Sequence, residues 1–321
     1  MSVLVHEESV GTAQRVALRS DRLERAFRLY RRRIGRCHTV NQLNRVHIVL
    51  SNYMTPEEVR YFDAAIARDL PDSLSRQWIG KLDSTVPRES GRTEFQRKGI
   101  LRGMTLYTAD NGSPGKKTLI IGFTGNFHRL TLPLPSFLGC LNPALYDVLL
   151  MCDFSKRFFT SGIPGLGENF FQALHNLRDH VDPRAYRNSI ALGTSSGGLP
   201  AVLGAMLLRL NRGISVGGMD FPQFAASLRT LGVNEEPYAA LLAERPDPFP
   251  ELLLAFSSGY PPDATAARGL HARVPSRLLE VKGCSDHLVL SWKLSTGRLP
   301  TFLSKLLGQS VQTCELVADA R

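Results

Sequence analysis

The stretch Ser189-Ile190-Ala191-Leu192-Gly193-Thr194-Ser195-Ser196-Gly197-Gly198-Leu199-Pro200 decides how this chain is read. Ser189–Leu192 is a short apolar run of strand length, and from about Leu199 to Leu210 the apolar residues continue at helix length. Between them stands Gly193-x-Ser195-x-Gly197. A serine at a tight strand-to-helix corner is held with strained backbone angles and its hydroxyl exposed. The flanking glycines are required because side chains there would strike the neighbouring strand and helix. The new helix also turns its N-terminus, with free N–H groups, toward any negative charge that develops at the corner. Pro200 is compatible with the first helical turn, where its missing N–H has no partner to lose. Glycine and serine also make ordinary turns and anion-binding helix starts. The strand before and the helix after favour a nucleophile.

Outward from this corner, apolar runs of strand length recur at Ile100–Thr108, Thr118–Thr124, Asp147–Cys152, Ile214–Met219, Leu252–Phe256 and Leu278–Val281. Helix-length segments separate most of them. Strands that are apolar throughout and alternate with helices predict a parallel sheet covered on both faces.

The 321 residues carry a formal charge of +10. Between residues 15 and 45 stand ten arginines, Arg15, Arg19, Arg22, Arg25, Arg28, Arg31, Arg32, Arg33, Arg36 and Arg45, against two acids, Asp21 and Glu24, so +8 of the charge sits in this stretch. Leu23, Phe27, Tyr30 and Ile34 fall on one helical stripe, with the arginines opposite. Such a helix is either a solvated element packed on its stripe or a contact for polyanions, phosphate or an acidic membrane surface through Arg22, Arg25, Arg28, Arg31, Arg32 and Arg33. No nucleic-acid motif is present. Thr55-Pro56-Glu57-Glu58 predicts a capped helix start, with the helix ending before Pro71. Residues 1–20 read as irregular, and Asp83–Arg97, with Pro87 and Gly91, as a linker. The expected organisation is therefore a basic helical region and linker over 1–95, then a catalytic domain over 96–321 with a short lid around 222–250.

No apolar run reaches the ~20 residues needed to span a bilayer. Nor does the start resemble a signal peptide, so the cytoplasm is the expected address. Cys37, Cys140, Cys152, Cys284 and Cys314 form no metal-ligand spacing. We expect reduced thiols, no metal and no cofactor.

From about residue 99 to 307 the chain resembles the α/β-hydrolase superfamily, with Gly193-Thr194-Ser195-Ser196-Gly197 as its nucleophile elbow. More narrowly it is similar to serine-esterase-like hydrolases associated with bacterial surface polysaccharides. The features behind that likeness are Phe123-Thr124-Gly125 after one strand, Asp153 closing the next, the Gly-Gly after the elbow, and Cys284-Ser285-Asp286-His287-Leu288-Val289-Leu290. The resemblance implies an α/β-hydrolase-like, mostly parallel sheet with helices on both faces and a helical N-terminal extension.

It also implies the chain order serine, acid, histidine. Ser195 would be the nucleophile. His287, following a late strand, is the candidate base, with His271 the weaker histidine. For the acid, Asp263 beyond the strand Leu252–Phe256 competes with Asp220 at the end of Ile214–Met219; Asp286 adjoins His287 too closely in the chain to meet it well. The two backbone donors of an oxyanion hole fall on Ser196 and on Asn126 in the loop after Thr118–Phe123, and His128 and Arg129 of that loop are candidates to line the pocket. Asp153 is either a ligand-facing carboxylate or a loop anchor. The expected activity is hydrolysis or transfer of an acyl ester on a glycan or small molecule. The rival is a non-catalytic hydrolase-like binding or assembly partner.

Overall fold

The computed structural model describes residues 19–87, 94–109 and 112–308. The chain divides into two compact units, Met1–Val86 and Pro87–Arg321.

The first unit contains a helix through residues 19–34 (α1), then α2 (Val40–Ser51), α3 (Pro56–Asp69) and α4 (Leu74–Ser84). Leu23, Phe27 and Tyr30 of the α1 stripe are buried. Phe27 and Tyr30 share a core with Val59, Phe62 and Ile66 of α3 and Ile79 of α4. The start of α3 is a full capping box: Thr55 Oγ1 accepts the Glu58 N–H, and the Glu58 carboxylate accepts the Thr55 N–H. α2 and α4 were not apparent from periodicity, although Thr39 and Ser73 cap their N-termini. Of the segment 1–20 expected to be irregular, residues 19 and 20 belong to α1; the rest of it, and residues 88–93 of the expected linker, lie outside the described residues.

The second unit is built on an eight-stranded sheet: β1 (Gln96–Leu101), β2 (Met104–Thr108), β3 (Thr118–Phe123), β4 (Tyr146–Met151), β5 (Asn188–Thr194), β6 (Arg212–Val216), β7 (Glu251–Ser257) and β8 (Arg277–Val281). Its order is β1-β2-β4-β3-β5-β6-β7-β8. β3 to β8 are joined by parallel pairings, while β2 pairs antiparallel with both β1 and β4. This is the mostly parallel sheet that the alternating apolar runs predict.

Its strands are apolar on both faces because both faces are covered. Leu119, Ile121 and Phe123 of β3 face one core with α7 (Gly198–Leu208) and α10 (Pro261–His271), while Ile120 faces the other with α5 (Leu134–Gly139) and α12 (Leu299–Leu307). Leu252, Leu254 and Phe256 of β7 join the first core and Leu253 and Ala255 the second, the period-two alternation of a strand. Each of the leucine, isoleucine and phenylalanine side chains among them contributes about 1.5–3 kcal/mol of burial.

The expected linker Asp83–Arg97 gives up its ends to α4 and β1, and two strand runs also differ from the sequence reading. Ile100–Thr108 is not one strand: Arg102-Gly103 turns it into the β1–β2 hairpin, with Gly103 at φ +90° close under the Cys152 carbonyl. The run Ile214–Met219 leaves the sheet after Val216, where Gly217 takes φ +59°. Residues 222–250 contain most of α8 (Phe221–Thr230) and all of α9 (Glu236–Ala243). Their Phe224, Leu228, Tyr238, Leu241 and Leu242 are buried in the first core. α6 (Phe170–Asn176) covers the same face, and α11 (Val289–Ser295) the other.

At the starting edge of the sheet Lys117 and Asp147 form a buried ion pair, Nζ to Oδ1 3.0 Å. The ammonium also donates to the Ala109 carbonyl, and Tyr186 O–H donates to the second carboxylate oxygen. The strands end at the opposite edge, at the site described next.

Candidate active site

Ser195 follows β5 directly and stands at φ +53°, a left-handed conformation that is strained for any residue with a Cβ. The motif glycines are sterically required around it. A Cβ on Gly193 would lie 1.9 Å from the Gly197 carbonyl oxygen, and one on Gly197 would lie 2.2 Å from the Phe123 carbonyl oxygen. One on Gly198 would meet Ser215 Oγ at 2.5 Å. Strand, turn and helix are thus packed backbone to backbone, and the one side chain left outward is that of Ser195.

His287 lies in the loop between β8 and α11. Its Nε2 is 2.8 Å from Ser195 Oγ, and its Nδ1 is 2.9 and 3.0 Å from the two carboxylate oxygens of Asp263. A carboxylate only accepts, so Nδ1 carries the proton and Nε2 is left to accept from the serine hydroxyl. Asp263 is buried in the first turn of α10, a helix N-terminus that favours an anion.

The acid and histidine loops are tied together below the site. The Cys284 carbonyl accepts from Ser257 O–H and from the Gly259 N–H. Gly217 closes the other side, where a Cβ would lie 2.9 Å from Asp263 Oδ2 and 3.3 Å from His287 Cε1. Hydrogen bonding to Asp263 raises the His287 pKa above its ordinary value; burial opposes this, and the charges of Asp263 and Asp286 add to it.

Neither rival acid reaches the histidine's ring nitrogens. Asp220 caps α8, its Oδ1 accepting the Gln223 N–H. Asp286 Oδ1 accepts the Leu288 N–H and acts on His287 through charge alone. His271 is exposed and paired with Ser276 Oγ. Asp153 is a loop anchor, accepting the N–H groups of Ser155, Arg157 and Phe159 and the Ser155 hydroxyl.

Ser196 and Asn126 face each other, Ser196 Oγ donating to Asn126 Oδ1 at 3.0 Å. The Ser196 side chain therefore reaches across to the β3 loop. Gly125 lies against the elbow: a Cβ there would be 3.4 Å from Ser195 Cβ. Among the described residues no backbone carbonyl takes the Asn126 N–H. At the first turn of its helix the Ser196 N–H likewise precedes any intrahelical acceptor.

Sequence reasoning missed Gly217 and the Cys284 carbonyl. The signal for the first was the Gly217-Gly218 pair directly after a strand; a backbone carbonyl leaves no signal.

Among the described residues no group of three or more His, Cys, Asp or Glu side chains is arranged to hold a metal ion, and no helix is long and apolar enough to cross a membrane. The described cysteines, Cys37, Cys140, Cys152 and Cys284, are free thiols; Cys314 lies outside the described residues.

No family model matches the chain, and no curated protein matches it. Among solved structures it is similar to 2,6-dihydroxy-pseudo-oxynicotine hydrolase, with 16% identity, 80% of this chain and 82% of that one covered, and a TM-score of 0.46. Dienelactone hydrolase from Anabaena variabilis gives 16%, 67%, 96% and 0.44 for the same quantities. Esterase B from Lactobacillus rhamnosis gives 15%, 76%, 97% and 0.44 in the form carrying an inhibitor.

Proposed function

We propose that the chain is a serine hydrolase that cleaves or transfers an acyl ester. Ser195 is the nucleophile, His287 the general base and Asp263 the orienting acid. The observation that carries this reading is the continuous Asp263–His287–Ser195 hydrogen-bond chain ending on a serine at a left-handed backbone angle.

As Ser195 Oγ attacks the ester carbonyl, His287 Nε2 takes its proton. The resulting imidazolium is held by the Asp263 carboxylate. The carbonyl oxygen gains charge and is received by the N–H groups of Ser196 and Asn126. Collapse expels the alcohol, to which His287 returns the proton, leaving an acyl-serine. Water or another acceptor then repeats the sequence in reverse. The same residues serve hydrolysis and transfer, on a glycan or a small molecule.

The test is time-dependent inactivation by a sulfonyl or phosphonyl fluoride, together with turnover of small aryl esters. A folded protein that shows neither would return the non-catalytic reading.

For the N-terminal unit we propose contact with a polyanion through Arg25, Arg32 and Arg33. Arg25 and Arg33 lie four residues to either side of Leu29, and Arg32 three residues after it, so they flank this exposed leucine on one helix face. Arg22 and Arg31 are paired with Glu57 and Asp69, and Arg28 lies 3.9 Å from Glu24. Substituting Arg25, Arg32 and Arg33 by glutamine should abolish salt-dependent retention on heparin, and unchanged retention would refute the proposal.

A further inference from the structure

The loops after β3 and β4 hold charged side chains to which the reaction above assigns no role. Gly125, which lies against Ser195, donates its N–H to the Arg129 carbonyl at 3.1 Å. Arg129 therefore leaves the backbone at the edge of the elbow. Its side chain is half-buried, its Nε is fully buried without a hydrogen-bond partner, and its guanidinium lies 5.9 Å from the Phe127 ring centre. Among the described residues no carboxylate pairs with it. Burial alone moves its pKa, downward, so the surroundings penalise the cation and supply no counter-charge. Elsewhere in the unit Arg212 bonds Glu251 and the Leu306 carbonyl, while Arg157, whose Nε is likewise buried without a partner, still bonds the Leu231 carbonyl through Nη2.

The adjoining loop adds to the same sign of charge. The His128 ring packs 5.1 Å from Phe154; burial first and then the charge of Lys156 lower its pKa, with the charge of Asp153 opposing, while Arg102 lies 5.8 Å over the Phe154 ring. The acid in this loop, Asp153, has both oxygens occupied by loop donors. These loops are also strained. His128, Thr131, Lys156, Phe158 and Phe159 take left-handed angles, as Ser195 does; among the described non-glycine residues the one other case is Arg209, at the end of α7. Strain of this kind persists where surrounding structure holds it and collects at functional sites.

We propose that Arg129 forms an anion subsite that holds a carboxylate or phosphate group of the ester substrate. The proposal rests on the hydrolase reading of Ser195. A planar guanidinium can take such a group through two parallel N–H donors, and a site sheltered from water strengthens the bond. Catalytic stabilisation of the oxyanion remains with the backbone donors.

The experiment compares kcat/KM for aryl esters of hexanoic acid, adipic acid and 5-phosphonopentanoic acid, and for aryl acetates with and without a carboxylate on the ring. Proteins tested are the full chain and its Arg129→Gln, Arg129→Lys and Arg129→Glu variants. The expected result is a preference of about tenfold or more for an anionic ester over its neutral partner, carried mainly in KM. Arg129→Gln should bring the ratio near one, Arg129→Lys should keep part of it, and Arg129→Glu should invert it. Which anionic ester is preferred separates carboxylate from phosphate and the acid side from the alcohol side. A wild-type ratio near one, or an equal loss on neutral and anionic esters in Arg129→Gln, would overturn the subsite while leaving the hydrolase reading intact. If Ser195 reacts with a fluorophosphonate but no ester turns over, protection decides: adipate must protect Ser195 better than hexanoate, and equal protection overturns the subsite. If Ser195 does not react at all, both proposals fall together.

Discussion

His287 Nε2 lies 2.8 Å from Ser195 Oγ, although 92 residues separate the two in the chain. That contact is made by two loops at the carboxyl edge of one parallel sheet, where ligands of such folds bind. On its other nitrogen the same imidazole is held by both oxygens of Asp263. A ring fixed at both ends has one tautomer and one direction in which to accept a proton.

The first prediction is a pH dependence. The base must be neutral, so kcat/KM should rise with pH and fall away as His287 gains a proton. Because Asp263 raises the His287 pKa, the midpoint should lie above the ordinary histidine value of about 6.5. In Asp263→Asn the midpoint should move down. A pH–rate profile with a small aryl ester measures both.

Asp263→Asn should also lower the rate constant by about three to four orders of magnitude, since the imidazole loses its anion and its tautomer. His287→Ala should cost at least as much, and the double variant little more. Asp220→Asn should leave the rate near wild type, and its removal as a cap of α8 should cost at most about 1 kcal/mol. Steady-state rates and thermal melts of the four proteins make the comparison.

Not all of this was legible in advance. Ser195, Asp263 and His287 each follow a strand and sit among local markers: glycines at the elbow, Pro261-Pro262 at the helix start, Cys284 to Leu288 after β8. Asp220 carries similar markers, an acid after a strand with a proline two residues on, at the start of a helix. Local sequence does not say which of the two loops bends under the histidine. That is decided by the Cys284 carbonyl binding Ser257 and Gly259, a contact between residues more than twenty apart. The β1–β2 turn escaped notice because Arg102-Gly103 is brief and flanked by apolar residues on both sides. α2 and α4 escaped because their apolar faces are short. The Lys117–Asp147 pair could not be anticipated, since the two residues stand 30 apart in the chain and meet only where β3 pairs with β4.

That pair supplies a stability prediction. Lys117→Met leaves Asp147 buried without its cation, and Asp147→Asn leaves the ammonium without its anion. Each should destabilise the unit by about 3–5 kcal/mol in chemical denaturation, with the double substitution to apolar residues recovering much of the loss. The pair lies at the far edge of the sheet from Ser195, so surviving folded protein should keep its rate constant.

The N-terminal unit should weaken in acid. His47 is buried, stacked on Trp78 at 4.5 Å and within 3.0 Å of Tyr30 Oη, and burial holds its pKa down at about 4. Tyr30 is pushed up to about 12, mainly by burial, so its O–H donates to a neutral imidazole. Below about pH 6.5 the unfolded chain takes up a proton that the folded unit refuses. Stability present above that pH should therefore fall, by on the order of 2–3 kcal/mol, as pH drops toward 4. His47→Gln should flatten this dependence in denaturation measured across that range.

The central claim, that Ser195 is an activated nucleophile, is tested most directly by locating the adduct of a fluorophosphonate probe by peptide mass spectrometry. The account predicts a single adduct on Ser195 that is abolished in Ser195→Ala, strongly slowed in His287→Ala, and retained in Ser196→Ala, which loses only the hydrogen bond to Asn126. An adduct on Ser196, or an unlabelled protein that is otherwise folded, would contradict it.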